Sequence, residues 1–237
     1  MTLSIVAYDA DHDLLGAAVT SCVLAAGRRV LHVRPGVGAA VTQAHSEIVW
    51  GDEILGALAS GETPEAALAP YLRDDTQVAA VGGAGELAVH TGYACDPHAG
   101  HTRGDALTAQ ANTAQVPHAS QRMVNAFSAS EGRLAERLLA ALGASGGDAR
   151  GQQAAALIVA GPGPLRGDAG EPHVDLRVDD HRDPVAELTR LLSLHRATCR
   201  MRQLLETTLP VDQAEVAELL ALHPDDPFLR NASLRLR

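Results

Sequence analysis

The sequence predicts a layered α+β fold built on antiparallel sheets, and three observations carry that prediction. First, the elements come in segregated runs: strands, two helices, strands, two helices, strands, then helix. Second, the strand segments are short and are joined by turn residues, as hairpins require. Third, 46% of the residues are apolar but only 3% are aromatic, so the core must be packed from Ala, Val and Leu side chains. At 237 residues the chain is long enough to bury such a core.

Residues 2–8 and 14–21 read as a hairpin turning through Asp9-Ala-Asp-His-Asp13, and residues 29–34 and 37–43 as a second one around Pro35-Gly36. A helix over about 47–60 stops at Gly61. The next begins at Thr63-Pro64-Glu65, where an N-cap threonine precedes proline at the first helical position. Gln77–Val81 and Glu86–Thr91 form a third strand pair across a glycine-rich turn, and a strand near 105–111 follows. Helices are expected near 117–129 and 132–142, then strands near 153–160 and 172–179 around the Gly161–Gly170 loop. Helices over about 184–206 and 211–222 follow, and the chain closes on a polar tail containing Pro224 and Pro227. The domain division expected is 1–195 for the layered domain and 196–237 for a C-terminal helical extension.

Composition excludes several functions. The chain contains no lysine, so lysine Schiff-base chemistry is ruled out. A net charge of -10 argues against nucleic acid as the partner, because no basic stripe is available to neutralise phosphates. No apolar run approaches the ~20 residues needed to span a bilayer, and no basic segment followed by an apolar one marks a signal peptide. Cys22, Cys95 and Cys199 are odd in number and far apart, which reads as reduced thiols in a cytoplasmic protein.

Thr2 draws attention because it follows the initiator methionine and opens a strand. Aminopeptidases readily remove Met before a small residue. The exposed Thr would then carry a hydroxyl and an α-amine on one residue, and an α-amine titrates near pH ~8, close enough to neutrality to act as a base. Ser4 lies on the same face of an alternating strand. Gln43 and Asn112 are uncharged amides near strand ends. They suit either stabilisation of a developing oxyanion or pairing with buried backbone groups.

Asp148 and Arg150 sit just before an apolar strand. They read either as site residues, the carboxylate orienting an amine and the guanidinium gripping a substrate carboxylate, or as an ion pair tying loop to sheet. The run Cys95-Asp-Pro-His98-Ala-Gly-His101, with His90 nearby, resembles half of a zinc site but has no evident second half. No bound metal and no cofactor are expected.

The phrases Thr2-Leu-Ser-Ile-Val-Ala, Gly38-Ala-Ala-Val-Thr-Gln-Ala44, Gln110-Ala-Asn112, Asp148-Ala-Arg-Gly-Gln-Gln153 and Asp175-Leu-Arg-Val-Asp-Asp180 resemble the bacterial family catalogued as DUF1028, grouped with the N-terminal-nucleophile (Ntn) hydrolases. The resemblance covers residues 2 to about 195 and departs at Ala111, where relatives usually carry glycine. It implies a four-layer αββα sandwich of the Ntn-hydrolase type. It implies no substrate, since the family's activity is unknown.

A more distant resemblance is to proteasome-type threonine proteases. By strand order it puts Ser21 near their first aspartate, Arg29 near their lysine, the Thr42–Ala44 backbone near their oxyanion amide and Asp148 near their distal aspartate. An arginine cannot serve as a base in that position, so the α-amine of Thr2 must.

The expectation is therefore a hydrolase of a small amide, lactam or acylated metabolite. Thr2, Asn112, Gln43 and Asp148 would be its catalytic residues, and Ser4, Ser21, Arg29 and Arg150 its substrate contacts. The partners expected are a small molecule and further copies of the chain in a homo-oligomer, with neither nucleic acid nor membrane. The competing readings are a non-catalytic protein binding a ligand or partner on the same fold, and a metallo-hydrolase using the His90–His101 region.

Overall fold

The computed structural model describes residues 2–96, 98–161 and 174–236. Met1, Pro97 of the histidine-bearing run, and the 161–170 loop beyond Gly161 lie outside the described residues. Contacts divide the rest into two compact units, one over residues 2–161 and 174–188, the other over residues 189–236.

The first unit is mixed α+β with two antiparallel sheets. Its strands are β1 (Thr2–Asp9), β2 (Leu14–Ser21), β3 (Leu31–Arg34), β4 (Gly38–Ala44), β5 (Thr76–Gly82), β6 (Leu87–Thr91), β7 (Gly100–Gly104), β8 (Leu107–Asn112), β9 (Ala154–Ala160) and β10 (Val174–Val178). One sheet runs in the order β10-β9-β2-β1-β8-β7 and the other β3-β4-β5-β6. The first strand of the chain is thus central, flanked by β2 and β8.

Strand alternation sends the even-numbered residues of β1 to one face. Val6 joins Ala17 and Val19 of β2, Val41 of β4, and Ala79 and Val81 of β5 in a single buried cluster, so the two sheets face each other across it. The outer face of the four-stranded sheet is covered by α2 (Val49–Ala59) and α3 (Pro64–Leu68), through Trp50, Ile54 and Leu68 against Ala40, Val78 and Ala80. A 3-10 turn (Ala69–Tyr71) follows α3 and sets Tyr71 against the Trp50 ring, centroids 5.0 Å apart.

α4 (Ala119–Ala129) and α5 (Leu134–Ala144) cover the outer face of the six-stranded sheet. Gly16 is where α5 comes closest: a Cβ there would lie 2.6 Å from Leu138 Cδ1. The absence of a side chain at that position lets Leu134 and Leu138 rest on the backbone of β2.

Three local expectations need correction. Arg29 does not open a strand. It lies in the last turn of α1 (Ala26–Val30), a short helix between the β2 and β3 strands, entered through Ala25 at φ 55°. β7 was not anticipated, because Gly-His-Thr-Arg-Gly has no apolar alternation; it pairs only with β8 at the sheet edge, where one bonded neighbour suffices. The closing segment is not a polar tail but holds α8 (Pro227–Arg235). Its start is the sequence signal itself: Asp226 accepts a hydrogen bond from the Leu229 N–H at 2.9 Å, and Pro227 occupies the first turn.

The second unit has its own small core. Ala197, Met201 and Leu204 of α6 (Pro184–Glu206) pack with Val216 of α7 (Gln213–Leu222) and Leu229 and Ala232 of α8. Arg200 holds Glu215 through two hydrogen bonds, Nε to Oε1 at 2.5 Å and a terminal nitrogen to Oε2 at 3.1 Å. No helix among the described residues is long and apolar enough to cross a membrane.

Candidate active site

The inner face between the two sheets changes character along β1. Past the apolar cluster around Val6, the next inward residue is Ser4 and the last is Thr2. Register places Ser4 opposite Val19 and Gln110, and Thr2 opposite Ser21 and Asn112. One end of the intersheet space is therefore polar and buried. Thr2 is 6% exposed; Ser4, Gln110 and Gln77 are fully buried.

Buried polar groups must find partners, and here they find one another. The Ser4 hydroxyl, with its single proton, lies 2.7 Å from Gln43 Oε1 and 3.0 Å from Gln110 Oε1. The Gln43 amide nitrogen donates to the Thr2 carbonyl at 3.2 Å and to Gln77 Oε1. The Gln77 amide nitrogen, with two protons, lies 2.9 Å from Thr91 Oγ1 and 3.2 Å from each of the backbone carbonyls of Gly100 and Ala111. Thr91 Oγ1 lies 2.9 Å from His101 Nδ1. Burial, followed by the charges of Arg103 and His90, lowers the His101 pKa, so a neutral ring can accept the Thr91 proton. A chain of hydrogen bonds thus runs from the Thr2 backbone to the edge strand β7.

This network settles what the Gln43 side chain can do. Both its amide protons are committed, to Thr2 and to Gln77, so it positions Thr2 and has no free donor for an oxyanion. Gln77 was not singled out from the sequence. Its only signal there is a polar residue at the head of an otherwise apolar strand.

A cleft of about 230 Å³ opens at this end. Thr2 and Ser21 line it with their hydroxyl oxygens 3.3 Å apart, and Ser21 Oγ also accepts the Val23 N–H at 3.2 Å. Arg29 and the Thr42–Ala44 segment line it too, so three positions separate in sequence, Ser21, Arg29 and Thr42–Ala44, are gathered around Thr2. Ala44 sits at φ 64°, a left-handed conformation that costs a non-glycine residue about 1–2 kcal/mol and turns the chain out of β4 at the cleft. Ser46, not anticipated, joins the lining, and its hydroxyl has no partner among the described residues.

The other candidates lie elsewhere. Ser4 and Asn112 are buried beside Thr2 and do not line the cleft. Asp148 is 2% exposed and belongs to a loop tied to both strands that flank β1. On the β8 side, Ala114 bridges Asp148 and the Ala149 N–H donates to the Thr113 carbonyl at 3.0 Å; on the β2 side, the Gln153 N–H donates to the Ser21 carbonyl at 2.8 Å. Arg150 is occupied, with Nε 3.6 Å from Asp148 Oδ1 and a terminal nitrogen 3.2 Å from Cys22 Sγ.

Three buried side-chain oxygens around this loop have no hydrogen-bond partner among the described residues: Asn112 Oδ1, Thr113 Oγ1 and Asp148 Oδ2. Of the histidines in and beside the zinc-like run, His90 Nε2 lies 2.8 Å from the Arg73 carbonyl and His101 Nδ1 lies 2.9 Å from Thr91 Oγ1. The described residues contain no group of three or more His, Cys, Asp or Glu side chains arranged to hold a metal.

Comparison with known proteins places the chain. No curated protein matches it. A crystal structure of a DUF1028 protein from Silicibacter pomeroyi is similar at 30% identity with a TM-score of 0.73, over 83% of this chain and 89% of that one. The family of unknown function DUF1028 matches residues 2–188. The chain belongs to the DUF1028 family.

Proposed function

We propose that this protein is an Ntn-type amide hydrolase whose nucleophile is the hydroxyl of Thr2, freed at its α-amine by removal of Met1. On this reading the two facing sheets with their outer helices are an αββα sandwich of the Ntn type, working in the cytoplasm on a small amide, lactam or acylated metabolite.

The single observation that carries the proposal is the pairing of a cleft at the Thr2 hydroxyl with buried side-chain oxygens beside the start of β1 that have no partner among the described residues. Asn112 Oδ1 and Asp148 Oδ2 can accept, Thr113 Oγ1 can accept or donate, and none has a partner among the described residues; each such group left buried costs about 1–3 kcal/mol. They belong to the cross-strand partner of Thr2, its successor, and the loop spanning the flanking strands. A free α-amine supplies two N–H donors, and a third once it has taken the Thr2 hydroxyl proton, which is what this end of the strand lacks.

The chemistry follows from the groups in place. The α-amine takes the Thr2 hydroxyl proton as Oγ1 bonds to the substrate carbonyl carbon. The negative oxygen that develops faces the Gln43–Ser46 edge, where the Ser46 hydroxyl can donate. Collapse breaks the C–N bond, and the ammonium returns the proton to the departing nitrogen. Water then attacks the Thr2 ester, gives its proton to the amine, and releases the acid as Oγ1 is reprotonated. Ser21 fixes the rotamer of Thr2, and the Gln43 amide fixes its carbonyl.

The test combines mass and labelling. The purified protein should weigh one methionine less than the encoded chain, and a β-lactone electrophile should modify Thr2. Thr2→Ala should abolish labelling and hydrolysis with its melting temperature unchanged. A retained Met1, or an equally active Thr2→Ala, refutes the proposal and favours a non-catalytic binding protein.

A further inference from the structure

The cleft at Thr2 has a chemical asymmetry that the hydrolytic scheme does not use. Among the described residues that line it, Arg29 alone carries charge. Its guanidinium makes no ion pair and no side-chain hydrogen bond with the described residues. Arg73 lies 3.3 Å from Asp75 and Arg150 lies 3.6 Å from Asp148, so both are paired, and Arg28, the neighbouring residue on α1, does not line the cleft. Neither Asp75 nor Asp148 lines the cleft.

Arg29 is exposed, whereas Thr2 is almost fully buried, so the guanidinium marks the open end of the cleft and the hydroxyl its closed end. The aliphatic part of the lining is Val23, Ala26, Val30 and Ile48, beside the polar Ser21, Thr42, Gln43 and Ser46. A volume of about 230 Å³ is below the ~300 Å³ at which pockets for drug-sized ligands begin, so the occupant is small.

The geometry points to a small amido carboxylate as the substrate class: an amide carbonyl for Thr2, a short aliphatic body for the walls, and a carboxylate that Arg29 receives. This inference rests on the hydrolase reading for the role of the amide. The Arg29 contact itself is a matter of binding and can be tested without turnover. A guanidinium suits the task because its planar fork meets both oxygens of a carboxylate. The fixed position of Arg29 on α1, whose Ala26 and Val30 are buried against the sheets, keeps the charge at the rim.

The test uses matched pairs that differ only in charge: N-acetyl-glycine, -alanine, -valine and -leucine, each as the free acid and as its C-terminal amide. Calorimetric titration into Met1-processed Thr2→Ala protein measures binding alone. The acids should bind about two- to fivefold more tightly than their amides, the range expected for an ion pair at an exposed guanidinium. Adding Arg29→Gln should erase that preference and leave amide binding unchanged, and Arg29→Lys should restore part of it. Arg29 is exposed and unpaired, so the melting temperature should not move.

Acids and amides that bind alike, a preference that survives Arg29→Gln, or no binding by any of the pairs at millimolar concentration would overturn the inference. Incubating the wild-type protein with the same acids and measuring release of the free amino acid keeps the two ideas apart. Binding through Arg29 without release refutes hydrolysis alone. Release that does not depend on Arg29 refutes the carboxylate site alone.

Discussion

Replacing Gln43 with leucine tests whether the buried amide network holds Thr2 in place. The side chain makes three contacts: it accepts from Ser4 at 2.7 Å and donates to the Thr2 carbonyl and to Gln77. Leucine fills similar volume, so a cavity contributes little. Ser4 keeps Gln110 at 3.0 Å as an alternative partner. The Thr2 carbonyl and Gln77 Oε1, however, each lose this donor in a buried site. Two orphaned groups at about 1–3 kcal/mol each give a loss of about 4 kcal/mol. At about 2–4 °C per kcal/mol for a chain of this size, the melting temperature should fall by about 8–16 °C in differential scanning calorimetry. The companion variant Gln43→Leu with Gln77→Leu removes donor and acceptor together, so its loss should be smaller than the sum of the two single losses by more than about 0.5 kcal/mol. A single-variant loss under about 1 kcal/mol, or strict additivity, would show that the amides do not act as a connected network.

Further expectations follow from other parts of the structure. Gly16→Val should destabilise the first unit by about 1–3 kcal/mol through overpacking, because the new side chain meets Leu138 and Leu134; a urea midpoint that does not shift would refute that close approach. His32 is buried, with its ring stacked on Gly51 and Nε2 3.5 Å from Thr42 Oγ1, and burial lowers its pKa. The unfolded chain then binds the proton more readily. Stability should be complete above the unfolded value near pH ~6.5 and decline as pH falls below it, and His32→Gln should flatten that decline in urea titrations at pH 7.5 and 5.5. Asp226→Ala should cost the second unit about 1 kcal/mol by removing the cap of α8, read as faster amide hydrogen exchange at Leu229. Thr2→Ser should keep β-lactone labelling that Thr2→Ala loses, because only the hydroxyl is required.

Most of the secondary structure was legible because it rests on local physics. The hairpin of β1 and β2 follows from alternation and an Asp-rich turn, and α3 from a threonine cap before proline. The same reasoning, applied to Asp226-Pro227, would have given α8. β7 was not legible because its residues carry no pattern: an edge strand with one neighbour needs backbone groups and little else. α1 is five residues long and capped by a strained alanine, so nothing in its sequence marks it.

The candidate site divides in the same way. The sequence by itself determined that Thr2 heads a strand, that cationic chemistry belongs to arginine, and that Gln43, Asn112 and Asp148 are polar residues beside apolar strands. Only the tertiary structure decided their neighbours. Strand register set Thr2 between Ser21 and Asn112, and the facing of the two sheets joined Gln43 to Gln77, residues 34 apart in sequence. It also distributed the arginines, binding Arg150 to Asp148 and Cys22 while leaving Arg29 free at the cleft. The physical reason is that alternation fixes which face a side chain takes, but register and sheet packing, which depend on contacts between distant segments, fix what it meets there.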